Sequence, residues 1–411
     1  VDLPPGCRSY GTPRDKPMTT TLQKRTASDA ADGWVNRDVR WILATQLLFG
    51  FAWSLYLLTP KFIATELHAG PDVIGRIASM GGLAGLLTVP FAAYGIDHVS
   101  RRLFFRLGTG LIVLLSIGFT QVHAVGPLVF VLQGCVSASF VLSFNSAAAL
   151  LMDHAPPERI GQAIGWLGGA NVLMNAVATM IAEPLAASYG WNVVFELGVV
   201  AGCAAFALSF AARDAPQRPR LAATPNAPFS QPSKAGQWSI LFAAFMVGGV
   251  FIAMFGFVQP YALSAGAHQV RGFFLGFTTS AVVGRVFFGG LGDRVGRRVV
   301  SLWMMLGYAL AALLMREFHP DLLIVYGLAF GAAHGILYPT LNALLLETLP
   351  SARRGLGMAL YNGAFNLGSS VGSLAWGLIA KQQGYPLVYT LAAGASLLAA
   401  AVLRFSRTSA A

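Results

Sequence analysis

Gly289-Gly290-Leu291-Gly292-Asp293-Arg294-Val295-Gly296-Arg297-Arg298 is a tight basic turn with one carboxylate, set between two long apolar runs. Small residues at Gly289, Gly290 and Gly292 let two helices approach closely, Asp293 can accept hydrogen bonds from the free N–H groups of a neighbouring helix start, and the arginines suit the level of lipid headgroups. A weaker copy lies earlier in the chain. Ala93-Tyr94-Gly95-Ile96-Asp97-His98-Val99-Ser100-Arg101-Arg102 keeps the aspartate and the arginine pair, while Ala93 and Ser100 stand in place of two glycines. A single such string could be an ordinary basic turn, but its recurrence shifts the weight towards a repeated membrane element.

Composition points the same way. The 411 residues are 55% hydrophobic and only 11% charged, with a mean hydropathy of +0.61, more apolar surface than one soluble core can hide. About twelve apolar stretches have the length that spans a hydrocarbon core. The expected fold is an all-α polytopic membrane protein of twelve transmembrane helices in two six-helix pseudo-symmetric halves. A constant shift of 194 positions puts Asp153 on Glu347, Pro156 on Pro350, Arg159 on Arg353, Gly169 on Gly363 and Gly190 on Gly384.

The two loop motifs carry a family resemblance. The run from Gly289 resembles the signature G-x-L-A-D-R-x-G-R-K found between helices 2 and 3, and again between 8 and 9, of the major facilitator superfamily. Gly292 and Arg298 depart from it mildly. The resemblance covers nearly all of the chain outside its tails and implies a secondary transporter with a central cavity lined by the first, fourth, seventh and tenth helices.

Residues 1–36 read as a disordered cytoplasmic tail, 37–212 as the first six-helix half, 213–237 as a Pro-, Ala- and Ser-rich linker, 238–406 as the second half and 407–411 as a short tail. Met18 is a candidate start, and no secretory leader pattern is visible in the basic stretch. Arginines at positions 101, 102, 106, 159, 213, 294, 297, 298, 353, 354, 404 and 407 fall on one side, which by the positive-inside rule puts both termini in the cytoplasm of a bacterial inner membrane. The formal charge of +11 is therefore a topology signal spread over many loops, and no nucleic-acid footprint is expected. Cys7, Cys135 and Cys203 offer neither a disulfide framework nor metal spacing.

Polar groups inside spans are the candidate site. His334, Tyr338 and Asn342 lie four apart on one face of the tenth span, and the resemblance turns that face to the cavity. The other reading is a satisfied structural stripe. His334 is also a candidate for proton coupling. Gln46, Trp53 and Tyr56 on the first span, Ser143 and Asn145 on the fourth, Gln259 on the seventh and Asn362 on the eleventh complete the expected lining. Asn171 and Asn175 read rather as interhelical hydrogen bonding. Arg285 is the one cation well inside a span, either an anion anchor or a partner of Asp293. Gating is expected at Asp97, Arg101, Arg102 and Asp153 in the first half, and at Gly289, Asp293, Arg294, Gly296, Arg297, Arg298 and Glu347 in the second.

Departures from the superfamily's drug–proton antiporters matter. Phe130 stands three residues before Gln133-Gly134 where they carry arginine, and Glu183-Pro184-Leu185-Ala186-Ala187-Ser188 replaces their G-P-x-x-G-G. No phosphate-binding loop and no convergent catalytic cluster is present, so neither ATP, nor a cofactor, nor an enzyme is expected. The expectation is proton-coupled efflux of a metabolite or drug-like compound by a monomer in the lipid bilayer. Proton-linked uptake of a small organic anion held by Arg285 is the alternative within transport, and a sensor or partner subunit without flux the alternative outside it.

Overall fold

Lipid offers no water to a backbone N–H or C=O, so a chain this apolar crosses as helices. The structure, a computed structural model, describes residues 35–156, 159–213, 234–350 and 353–406. Met18, Cys7, most of the expected tail and linker, and the last five residues lie outside the described residues. Twelve helices of 18 or more residues, and no strand, occur among the described residues. They are α1 Arg37–Thr65, which contains a 3-10 turn at Leu55–Leu58, α2 Pro71–His98, α3 Arg101–Phe119, α4 Pro127–His154, α5 Ile160–Tyr189, α6 Trp191–Ser209, α7 Gly236–Ser264, α8 Arg271–Phe288, α9 Arg297–Leu314, α10 Leu323–Glu347, α11 Arg354–Gln383 and α12 Tyr385–Phe405.

Ten of these are long and apolar enough to cross a membrane by length and composition, and α8 and α11 fall short. Arg271 and Arg285 lower the hydropathy of α8, and Asn362, Asn366, Ser369, Ser370 and Ser373 that of α11. Both helices pack against α2, α5, α7 or α10 inside the bundle, where polar groups meet protein instead of lipid. The outward faces are apolar: Leu87, Phe91, Leu114, Val286, Phe287 and Leu310 are all exposed.

Helix ends follow their local chemistry. Asn36 caps α1 by accepting a hydrogen bond from Val39 N at 2.9 Å, with Asp38 in the first turn. The repeat shows most plainly at the α5–α6 and α11–α12 turns, where Gly190 (φ 84°, ψ 169°) and Gly384 (φ 85°, ψ 167°) adopt the same conformation, one that side chains exclude. The motif loops solve one problem in two ways. Gly296 enters α9 at φ 101°, whereas its counterpart Ser100 is extended and caps α3 through Leu103 N at 3.2 Å.

Packing repeats as well. α1 meets α5 and α6, α2 meets α4, and α3 meets α4 and α6; α7 meets α11 and α12, α8 meets α10, and α9 meets α10 and α12. The halves touch along α2–α11 and α5–α8, two seams exchanged by the same pseudo-two-fold. At the first seam a Cβ on Gly75 would run into the backbone of Ser373 and Gly377, so the two helices lie backbone to backbone.

Gly384→Ala should cost about 1–3 kcal/mol, since it forces a side chain into a glycine-only region. Thermal unfolding of the detergent-purified variant measures this, with Gly394→Ala as the control because a Cβ there meets nothing within 4 Å.

Candidate functional site

Proline removes a backbone donor, and the breaks in α1 and α7 precede Pro60 and Pro260 accordingly. In α1 the carbonyl of Tyr56, which Pro60 cannot bond, accepts from Thr59 Oγ1 at 2.7 Å. One residue on, the ladder is opened further by the other half of the molecule. Gln259 of α7 donates through Nε2 to Leu57 O at 2.7 Å, and its Oε1 accepts from Lys61 N at 3.3 Å. Its amide thus stands between a C=O and an N–H that a regular helix would pair with each other. Gln259 is fully buried, so its place is a splice between halves and not a surface open to solute.

The same end of the bundle holds a second cross-half device. Glu183 of α5 accepts from Val270 N at 2.7 Å and Arg271 N at 2.8 Å, capping α8 from the opposite half. Lys61 pairs with Glu183 and also donates to His268 O at 2.8 Å. Their side chains are only 10% and 2% exposed, so this is a buried ion pair. The seams add Ser370 Oγ to Ser79 O at 2.6 Å, Lys381 to Asp72 at 3.1 Å and Thr278 Oγ1 to Val172 O at 3.2 Å. Sequence reasoning did not single out Lys61. The available signal was a lysine and a glutamate both inside apolar spans near the same membrane depth.

At the other end, which carries the basic loops, two sets of ion pairs each brace one half. Arg101 of α3 pairs with Asp153 of α4. In the second half Arg297 donates to Asp293 at 2.7 Å and to Glu347 at 2.9 Å, joining the motif loop to the end of α10. Asp97 and Arg294 are exposed there and Arg102 is half-buried. Arg298 turns away to the carbonyls of Leu403 at 2.7 Å and Arg404 at 3.1 Å, so it secures the end of α12. Gly289 and Gly296 shape the loop that presents this network.

The expected cavity residues divide. Tyr56 turns into the first half's own core, bonded to Ser116 Oγ at 2.7 Å and packed on Phe119, because its ring finds an aromatic cluster there. Gln46 is fully buried and bonds Asn171 at 3.4 Å and Ser143 at 3.2 Å, a bridge of α1, α4 and α5. Asn175 accepts from Ser54 at 2.9 Å. Trp53 donates to Val136 O at 3.3 Å and leans on Phe140. On α10, His334 Nδ1 is hydrogen-bonded to the Tyr308 hydroxyl amid Phe251, Phe277 and Phe330, and Tyr338 donates to Asn362 Oδ1 at 2.6 Å.

Three of the expected cavity residues keep unused capacity. Asn145 is half-buried with no side-chain hydrogen bond among the described residues. Asn342 Oδ1 is buried without a partner. Arg285 has a buried, unpartnered Nε and lays Nη1 3.9 Å from where a side chain on Gly168 of α5 would begin. The sequence-level pairing of Arg285 with Asp293 is not formed: α8 ends at Phe288, and Asp293 is held by Arg297 beyond the turn.

Two matches to the family model for the major facilitator superfamily cover residues 42–281 and 263–411. The chain belongs to the major facilitator superfamily. As a member it is a transporter of small organic solutes and not an enzyme. It is 22% identical over 339 residues to the cis,cis-muconate transport protein of Acinetobacter baylyi, covering 77% of this chain and 79% of that one. It is 25% identical over 335 residues to the multi-drug resistance efflux pump PmrA of Streptococcus pneumoniae, covering 77% and 81%. The gallate transporter of Pseudomonas putida is 30% identical over 156 residues, 36% of this chain and 35% of that one. Among solved structures, the inward open conformation of the xylose transporter XylE from E. coli matches with a TM-score of 0.72 at 15% identity, over 89% and 95% of the two chains. The nucleoside transporter NupG matches at 0.69 and 13% over 90% and 98%.

Removing one partner of a buried pair leaves the other charge stranded, so Glu183→Ala should lose on the order of 3–5 kcal/mol. Lys61→Met with Glu183→Ala should lose less than the sum of the singles. A thermal-unfolding double-mutant cycle reads the coupling, and strict additivity would show that the pair is not an energetic unit.

Proposed function

We propose that this member of the superfamily carries a small organic anion between two alternating states of its halves, with Arg285 as the anchor. The carrying observation is the guanidinium itself: a cation in the last turn of α8, half-buried, with no hydrogen bond or ion pair among the described residues. An uncompensated charge at membrane depth is expensive, and a carboxylate taken from solution offsets that cost with a charge-assisted, bidentate contact. Tyr338 and Asn342 on the facing helix supply neutral polar groups, and the aromatic rings around His334 suit an unsaturated or aromatic body. Muconate and gallate, the solutes named for two relatives, are both carboxylates.

In this reading the end with the basic loops faces the cytoplasm, together with both termini. The splice at Gln259 and the cap at Glu183 close the outer side, so the anion site communicates with the inside. Protons are the coupling ion, taken up near His334, and the working unit is a monomer. A second reading, efflux of a drug-like compound, draws on the relatives named as multidrug resistance proteins and efflux pumps.

The test is counterflow in proteoliposomes with a panel of short dicarboxylates, aromatic carboxylates and cationic drug-like compounds. Saturable carboxylate flux should appear in the wild type. Arg285→Gln should weaken its apparent affinity by roughly thirtyfold or more, with Arg285→Lys intermediate, as expected for loss of a buried charge contact. Flux of cationic compounds alone, or carboxylate flux indifferent to Arg285→Gln, would hand the question to the efflux reading.

A further inference from the structure

A groove of about 650 Å3 runs between α9 and α12 at the end of the bundle that carries the basic loops. Leu302, Leu306, Leu397 and Ala401 line it. Trp303, 64% exposed, and Phe405, 84% exposed, stand at its rims. These exposures mark it as part of the lipid-facing surface, and neither α9 nor α12 belongs to the α2–α11 or α5–α8 seams between the halves.

One mouth of the groove is cationic. Arg298 and Arg404 both border it, and nothing acidic lines it among the described residues. Arg298 is held in place, because its Nη2 donates to Leu403 O, Arg404 O and Ser406 O at the end of α12. Arg404 is exposed and its guanidinium makes no hydrogen bond or ion pair among the described residues. From Arg298 to Leu306 the groove extends about 12 Å at the helical rise of 1.5 Å per residue, room for the upper part of an extended acyl chain.

We propose that this groove is a binding site for a phospholipid with an anionic headgroup. The phosphate lies at Arg404 and Arg298, and one acyl chain lies along Leu302, Leu306 and Leu397. A water-soluble anion would leave the apolar length of the groove unused, whereas a lipid matches both its ends. A partner helix seated there would bury two arginines that a headgroup leaves at the interface. Trp303 and the arginines then anchor α9 and α12 to the leaflet on the basic side.

The experiment compares thermal stabilisation of detergent-purified protein by phosphatidylglycerol and by phosphatidylcholine with the same acyl chains, and adds glycerol 3-phosphate as a chainless headgroup. Phosphatidylglycerol should stabilise more than phosphatidylcholine, and glycerol 3-phosphate should do nothing. Arg404→Gln, at an exposed position, should weaken the phosphatidylglycerol titration about fivefold, the loss expected for one arginine at a membrane surface. Ala401→Trp, which fills the groove, should abolish the preference, with Leu310→Trp as a lipid-facing control that keeps it. Equal responses to the two lipids, a preference surviving both Arg404→Gln and Ala401→Trp, or full stabilisation by glycerol 3-phosphate would each overturn the proposal.

Discussion

In lipid, an unsatisfied backbone group has nowhere to turn, and this transporter meets that constraint at two points by borrowing across its own pseudo-symmetry. The opened ladder of α1 is completed by Gln259 of the second half, and the bare N-terminus of α8 is completed by Glu183 of the first. Each half therefore finishes the hydrogen bonding of the other. Closure at this end is a condition on secondary structure as well as a contact between surfaces.

The placement of charge at the closure follows from the same economy. Lys61 and Glu183 both belong to the first half, so their ion pair need not be broken for the halves to part. In the alternating-access reading proposed above, opening gives up the pair of N–H bonds to Glu183, the bond from Lys61 to His268 O, the Gln259 splice and, at the α2–α11 seam, only the more exposed Lys381–Asp72 pair. Separating opposite charges in a low-dielectric setting costs several kcal/mol per ion, while exchanging hydrogen bonds for water costs far less. The basic end shows a matching pattern, since Arg101–Asp153 and Asp293–Arg297–Glu347 each brace helices of one half.

This division explains which parts of the molecule the sequence made legible. Span lengths, the basic loops and the shift of 194 that carries Gly190 onto Gly384 all report demands that lipid and backbone geometry place on every residue involved. Helix-face spacing is weaker evidence, because it groups polar residues without saying what faces them. His334, Tyr338 and Asn342 do share a face of α10, yet the first two are bonded to Tyr308 and Asn362 and only Asn342 is left with capacity. Gln46 and Ser143 likewise satisfy each other in the first half's core. Lys61 escaped notice for the opposite reason: its partners are a carboxylate more than a hundred positions away and a backbone carbonyl in the other half.

Pseudo-symmetry also says where function has to break it. Aligning the two motif loops puts Asp97 on Asp293 and Val89 of α2 opposite Arg285 of α8, so the unpartnered cation has no counterpart in the first half. The helix frame is built from matching pairs, α2–α4 with α8–α10 and α3–α6 with α9–α12, whereas the charge proposed to hold a solute is single. A solute with one dominant anionic group needs only one strong anchor, and a second would have to be desolvated and released in every cycle. In the anion-carrier reading proposed above, an anchor on α8 beside the α5 seam at Gly168 sets the bound charge against the half it moves relative to. Occupancy of the site then bears directly on the contact that changes, which is the differential interaction a ligand needs if it is to shift the balance between two states.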